Sequence, residues 1–521
     1  MEESLLSFLI FLPLVGVLLV CYINSESKNF IRFTAIAISL LTFLLSLYIY
    51  ANFNENIEDF QFYVSYEWVP SFGAGYTVGI DGISLMLIMI ATLLTPIALI
   101  VSWNSVEKNI KSFNIMMLLL EMGMLGVFCA LDLFLFYVFW EIILIPMYFI
   151  IGIWGGENRI YASVKFFIYT MFGSLMMLVA IIFLINSVAT ITGGGLSANL
   201  LRLYDYSPDI ANNVQLLMFL AFALSFAIKV PLFPLHTWLP DAHTEAPTAG
   251  SVILAAVLLK MGTYGLIRFC VMLFPYATIY FAPFISLLAI IGIVYGALVS
   301  MVQTDVKRLV AYSSVSHMGF VVLGIFALNQ ESLQGSTIQM INHGLSTGAL
   351  FLLVGMIYER RHTRMISEFG GLAKQLPIYS TLFMIIMFSS IGLPGLNGFV
   401  GEFLILLGSF KSSFLNNKIY AIISASGVIL SAIYMMWVYQ RIFFGKLENE
   451  LNKSLKDVSK REIGIMIPVI IFIVWIGIYP STFLNKTSKS VKMVIDRIEY
   501  FDKFYKEHDT INKMNLEEII K

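Results

Sequence analysis

Charge is scarce in this sequence. Only 12% of its 521 residues are Asp, Glu, Lys or Arg, and 59% are hydrophobic. A soluble domain carries about 25% charged residues. Half of that cannot coat a surface facing water, so a water-soluble enzyme, a disordered chain and a nucleic-acid binder are excluded. An excess of either sign is also missing: 32 basic and 33 acidic residues leave a net charge of −1, with no pull on a polyanion. Cysteine is nearly absent. Cys21, Cys129 and Cys270 stand far apart in apolar runs, with no spacing for an iron–sulfur cluster or a structural zinc. Nucleotide motifs are missing too, with no GxxxxGK[ST] phosphate loop and no GxGxxG after a strand. The triplet Gly193-Gly194-Gly195 reads as a turn. ATP, NADH and flavin sites are therefore not expected in this chain. A cleavable leader is not expected either, because Met1-Glu2-Glu3-Ser4 is acidic where a signal peptide is basic.

What is present is a series of long apolar runs, with a mean hydropathy of +0.84. Runs long enough to cross a bilayer fall at 4–23, 31–52, 80–102, 113–131, 132–154, 161–187, 213–239, 248–274, 280–302, 308–328, 335–358, 377–411, 418–443 and 463–484. Helices satisfy their own backbone groups in lipid, so the expected fold is all-α, a polytopic membrane protein of about 14 transmembrane helices. An even number of spans puts both termini on one side. With the termini outside, the inner loops hold 18 Lys and Arg and the outer loops only Arg202, Arg268, Lys411 and Lys418. That asymmetry predicts both termini on the outer (periplasmic) side of a bacterial inner membrane. The acidic stretch Glu55–Glu67 then falls in an outer loop. The tail after the last span carries eight basic and seven acidic residues and reads as a short amphipathic segment on the surface.

Two basic residues fit neither loops nor tail: Lys229 in span seven and Lys260 in span eight. Glu121 (span four), Glu141 (span five) and Glu402 (span twelve) join them inside the membrane. Facing lipid, five such groups would cost on the order of 12–18 kcal/mol. They must face one another or a hydrated interior. His317 in span ten follows Ser313, Ser314 and Ser316, and His343 in span eleven sits among Gln339, Asn342, Ser346 and Thr347. Ion pairs that merely glue helices together explain one isolated pair. They do not explain seven groups over seven spans, because membrane helices associate through small residues and modest polar contacts.

Helix breakers accompany three of these charges. Lys229 precedes Pro231 and Pro234, which should free the carbonyls of Ala227 and Val230 beside it. Glu402 follows the run Gly392-Leu393-Pro394-Gly395-Leu396-Asn397-Gly398, which cannot remain a continuous helix. Pro146, after Glu141, should free the carbonyl of Ile142. Broken helices at membrane depth survive where they line a cavity, as in transporters. The breaks in spans seven and twelve lie five spans apart. An odd offset predicts two inverted five-helix repeats, each with a broken helix. The expected organisation is 1–111 with three N-terminal spans, 112–274 as the first repeat, 275–443 as the second, and 444–521 with the last span and tail.

In low dielectric a lysine holds its proton less tightly and a carboxyl more tightly. A Glu⁻ near a Lys⁺ keeps it charged, and separating them releases the proton. Glu141 and Lys229 could thus form a proton switch. Lys260, His317, His343 and Glu402 could extend a lateral relay, with Glu121 a possible further member. Two other constellations compete. His236, Asp241, His243 and Glu245 crowd one Pro-rich loop and suggest a metal, although helix caps and loop hydrogen bonds explain them better. His317 and His343 on adjacent spans suggest a b-type haem, but haem pockets do not collect several charged groups.

The run Phe139-Trp140-Glu141-Ile142-Ile143-Leu144-Ile145-Pro146-Met147-Tyr148 resembles span five of the antiporter-like subunits of respiratory complex I, the proton-pumping NADH:quinone oxidoreductase. So do the run from Pro234 to Val252 and its continuation Leu259-Lys260-Met261-Gly262. Within that family Glu402 resembles the M type, since the L and N types carry a Lys there. The resemblance implies that Glu141 and Lys229 are the coupling pair, Lys260 the central relay, His317 a neighbouring relay histidine and Glu402 the outer gate. It also implies that NADH, FMN, iron–sulfur clusters and quinone belong to partner subunits. The implied partners are neighbouring antiporter-like membrane subunits, the peripheral redox arm and the lipid bilayer. Multi-subunit sodium/proton antiporters and membrane subunits of hydrogenase complexes are similar alternatives.

Overall fold

The computed structural model describes residues 4–520, with side chains described to residue 507. The acidic residues 1–3 and the tail side chains from 508 onward lie outside the described residues. Among the described residues, thirteen helices are long and apolar enough to span a membrane. A fourteenth span is split into Pro377–Ser390 and Asn397–Lys411, neither half long enough alone. The expected fourteen crossings are therefore present, one of them as two half-helices.

Burial separates a centre from a rim. In spans eight (Thr248–Val271) and eleven (Gln330–Arg361) the whole of the most apolar stretch is buried. Span ten (Val306–Phe326) and span three (Gly82–Ser105) are nearly as enclosed, while span one (Leu5–Tyr22), span two (Lys28–Asn52) and span fourteen (Lys460–Ile478) show most of their surface. Small residues let the central helices approach. A Cβ on Gly262 would stand 2.8 Å from the carbonyl oxygen of Phe226, so spans seven and eight cross backbone to backbone there. Lys260 and His343 thus ride on the two most enclosed helices.

Span seven runs as Asn212–Lys229, turns through residues 230–237, and resumes as Trp238–Glu245. The break sits at the predicted prolines, but the Ala227 carbonyl is taken up within the turn. Ala227 O accepts from Leu232 N at 2.7 Å, and Ile228 O accepts from the Trp238 indole at 2.8 Å. The turn consumes its own acceptors. In span twelve the break is made by glycines: Gly392 and Gly395 have φ of +75° and +91°, open to glycine at little cost. Span five stays a continuous helix, Leu133–Trp154, through Pro146. Span eight contains two π-helical turns, Leu254–Leu258 and Leu266–Val271, on either side of Lys260. Nothing in the residue pattern announced them.

Two features depart from the expected outline. The acidic loop after span two folds as an antiparallel hairpin, β1 (Gln61–Val69) with β2 (Ala74–Ile80), closed at Gly73 with φ +66°. Its Tyr63, Val64, Tyr66, Trp68 and Val69 favour a pleated strand. The tail is not a short segment but a 40-residue helix, Ser481–Ile520, about 60 Å long at 1.5 Å per residue. Val491, Val494, Ile495 and Ile498 form its buried stripe. Ser490 Oγ accepts from Gly82 N at 2.9 Å, and Arg497 Nε donates to Met272 O at 2.9 Å.

Candidate functional site

The ionisable groups fall into two neighbourhoods. In the first, Glu121 is fully buried and neither carboxylate oxygen has a hydrogen-bond partner among the described residues. Glu141 is half-buried, with Oε1 enclosed and likewise unpartnered. Lys229 closes the first half of span seven and is 2% exposed. Its Nζ lies 5.2 Å from the ring centroid of Trp140 and 5.5 Å from that of Phe166, so aromatic faces receive the ammonium. The Glu141 charge acts on Lys229, but the two make no ion pair within 4.0 Å among the described residues. Phe136, Trp140, Phe226 and Phe269 stack into one aromatic cluster where spans five, seven and eight meet, with Phe136 and Phe269 rings 4.2 Å apart. No hydrogen bond described here links Lys229 to Lys260.

The second neighbourhood is joined. Lys260 Nζ donates to Ala255 O at 2.5 Å, inside the first π turn, and to His343 Nδ1 at 2.6 Å. The His343 and His317 rings lie 5.9 Å apart, centroid to centroid. His317 Nδ1 meets Glu402 Oε1 at 2.9 Å, and Gln339 Nε2 donates to the same oxygen at 3.2 Å. Asn342 donates to Gln339 Oε1 at 3.2 Å and to Asn397 O at 2.7 Å, which ties the relay face of span eleven to the restart of span twelve. His343, His317, Ser346, Thr347 and Ser389 line a cavity of about 10 Å³, the size of one water, with polar walls to hold it. A porphyrin has no room there. His343 Nε2 has no protein partner.

The four side chains of the loop after span seven go to separate partners. No group of three or more His, Cys, Asp or Glu converges among the described residues. Asp241 pairs with Lys165 at 2.7 Å, and Glu245 accepts from Asn158 N at 2.9 Å. His243 departs from the expected loop bonding. Both ring nitrogens are unpartnered, and the ring stacks on Phe351 at 4.6 Å.

Two buried cations were misplaced by the loop count. Arg268, assigned to an outer loop, is fully buried in the second π turn and pairs with Asp81 at 2.5 Å. The run 248–274 already enclosed it. Lys307, assigned to an inner loop, is buried at the start of span ten and donates to Ala246 O at 2.5 Å. The buried carbonyl before Pro247 is its counterpart, a contact between distant segments that the linear sequence does not reveal.

Titratable side chains lined up in the centre of an all-helical bundle, beside two broken spans, define an antiporter-like membrane protein. The profile described as "NADH:quinone oxidoreductase/Mrp antiporter, TM" matches residues 130–434, more than half of the chain, and the chain belongs to that family. It is 43% identical over 507 residues to NADH-quinone oxidoreductase subunit M of Rhodobacter capsulatus, covering 95% of this chain and 96% of that one. It is 43% identical over 493 residues to NADH-ubiquinone oxidoreductase chain 4 of Marchantia polymorpha, covering 94% and 97%. Among solved structures, a chain of respiratory complex I from Thermus thermophilus with bound NADH superposes with a TM-score of 0.85 at 31% identity, covering 95% of this chain and 99% of that one.

Proposed function

We propose that this chain is the proton-translocating M-type membrane subunit of an NADH:quinone oxidoreductase. It couples electron transfer in partner subunits to proton movement through its own side chains. The joined series Lys260–His343–His317–Glu402 is the observation that carries the reading. A proton can pass along it with one gap, between the two imidazoles, and the cavity there is the size of one water. Glu402, beside the broken twelfth span, is the gate at one end. Glu141 and Lys229 are the switch at the other: apart, as here, they leave the lysine without a carboxylate in contact. Glu121 is a further buried acid on the same side. Moving one charge against 100 mV costs about 2.3 kcal/mol, and the supply comes from the partner subunits, where NADH, FMN, iron–sulfur clusters and quinone act.

The same reading places the chain in a bacterial inner membrane with both termini on the outer side. Removing buried Arg268 from the outer count sharpens the charge asymmetry that supports this. It also treats 112–274 and 275–443 as two inverted repeats, an arrangement that the breaks in spans seven and twelve support. The test is Lys229→Ala and Glu141→Ala in the assembled enzyme. Both should abolish pumping-linked quinone reduction and leave NADH oxidation by artificial acceptors intact. Normal coupled activity in both variants refutes the proposal. A sodium/proton antiporter subunit would instead drive sodium-dependent pH changes in vesicles lacking any NADH dehydrogenase.

A further inference from the structure

A crevice runs between spans two, three and fourteen, away from the relay. Three cavities with shared walls make it up. The first, about 330 Å³, lies at the membrane face where span fourteen begins and is lined by Trp103, Asn104, Ser459 and Arg461. The second, about 360 Å³, shares Arg461 with it and is otherwise walled almost entirely by apolar side chains, among them Phe43, Pro96 and Pro468. The third, about 140 Å³, continues from Phe43 and Phe472 to Trp475. Counted along span fourteen from Arg461 to Trp475, the crevice is roughly 21 Å deep at 1.5 Å per residue, which is most of a hydrocarbon core of about 30 Å.

Its two ends differ in chemistry. At the face, the Asn104 side-chain amide lies 3.2 Å from both Nη atoms of Arg461, and with its oxygen turned toward them it accepts from both. Arg461 makes no ion pair within 4.0 Å among the described residues, although the Glu359 carboxylate acts on it from further away. Arg32 stands over the Trp103 ring at 5.4 Å and donates to Val106 O at 2.8 Å, with Glu107 as its nearest counter-charge. Two guanidinium groups therefore flank one tryptophan at interface depth, neither neutralised by contact. Below them the walls are apolar, and a Cβ on Gly464 would meet nothing within 4 Å. Gly464 is exposed, so the crevice opens outward there.

We propose that this crevice is a binding site for one anionic phospholipid, its phosphate on Arg461 and Trp103 and an acyl chain running past Gly464. The charge at the face selects the headgroup, and the apolar depth takes the chain. The floor of the third cavity includes Ile341 and Leu345.

Native mass spectrometry of the purified, delipidated full chain tests this, with phosphatidylglycerol and phosphatidylcholine added separately. One phosphatidylglycerol should be retained, and phosphatidylcholine about fivefold less, the equivalent of ~1 kcal/mol for one basic residue at an anionic surface. Arg461→Gln should erase that preference. Gly464→Trp, which grows into open space, should reduce retention of both lipids, whereas Gly464→Ala should not. Equal retention of the two lipids, or retention untouched by Arg461→Gln and Gly464→Trp, overturns the site as mere annular contact. Efficient cross-linking of a cysteine at 464 to a neighbouring subunit in the intact complex would overturn it in favour of a protein occupant.

Discussion

Lys229 and Lys260 are both buried lysines in adjacent spans, yet they are held in opposite ways. Lys229 presents its ammonium to the faces of Trp140 and Phe166 and contacts no carboxylate. Lys260 gives its protons to a carbonyl and an imidazole, and the imidazole leads on to His317 and Glu402. Rings hold a cation without accepting its proton, whereas an imidazole accepts one. Under the proposed function, the first arrangement would store a charge and the second would conduct it. A pump needs both, because a route that always conducts would leak.

The largest test of this contrast is Lys260→Met, which cuts the conducting series at its head. Pumping-linked quinone reduction should fall on the order of a hundredfold, the scale of a lost proton-transfer group, with artificial-acceptor activity unchanged. Retained pumping would place the route elsewhere. Next, a double-mutant cycle on thermal unfolding compares contacts directly. Lys260 with His343 should show coupling of roughly 0.5–3 kcal/mol, while Lys229 with His343 should add within about 0.5 kcal/mol. Equal coupling would erase the distinction between the two neighbourhoods. Trp140→Leu probes the storing side alone: thermal unfolding should register a loss of ~1–2 kcal/mol for a desolvated cation–π contact. The smallest effect is expected from Gly401→Ala. A Cβ there runs into the Gln339 side chain and pushes it off Glu402, a loss of ~1 kcal/mol for one hydrogen bond, read as a severalfold drop in coupled turnover.

The spans and their charged members were legible in the sequence because hydropathy makes a buried ion conspicuous. The breaks at Pro231 and around Gly392–Gly395 were legible because proline and glycine act locally. Which charges touch was not legible. His317, His343 and Glu402 lie on three different spans, and their meeting depends on how each helix is rotated. The Ala227 carbonyl is taken for a related reason: the turn brings Leu232 N back onto it, a contact set by the turn as a whole. The π turns around Lys260 have no residue that demands them. Arg268 was hidden by a counting habit that sends every arginine to a loop, and only its partner Asp81, 187 positions earlier in the chain, explains its burial.

The long C-terminal helix has a consequence for how the molecule is made. Ser490 and Arg497 satisfy backbone groups at Gly82 and Met272, and Lys486 donates to Phe53 O at 3.1 Å. Chains emerge N-terminus first, so those groups wait, unlatched, until residues 481–497 have been made. A protein truncated before Ser481 could insert every span and still lack the brace across spans two, three and eight. Synthesis of this helix is thereby coupled to bracing of spans two, three and eight, and copies lacking it should stay loose enough for proteases to remove.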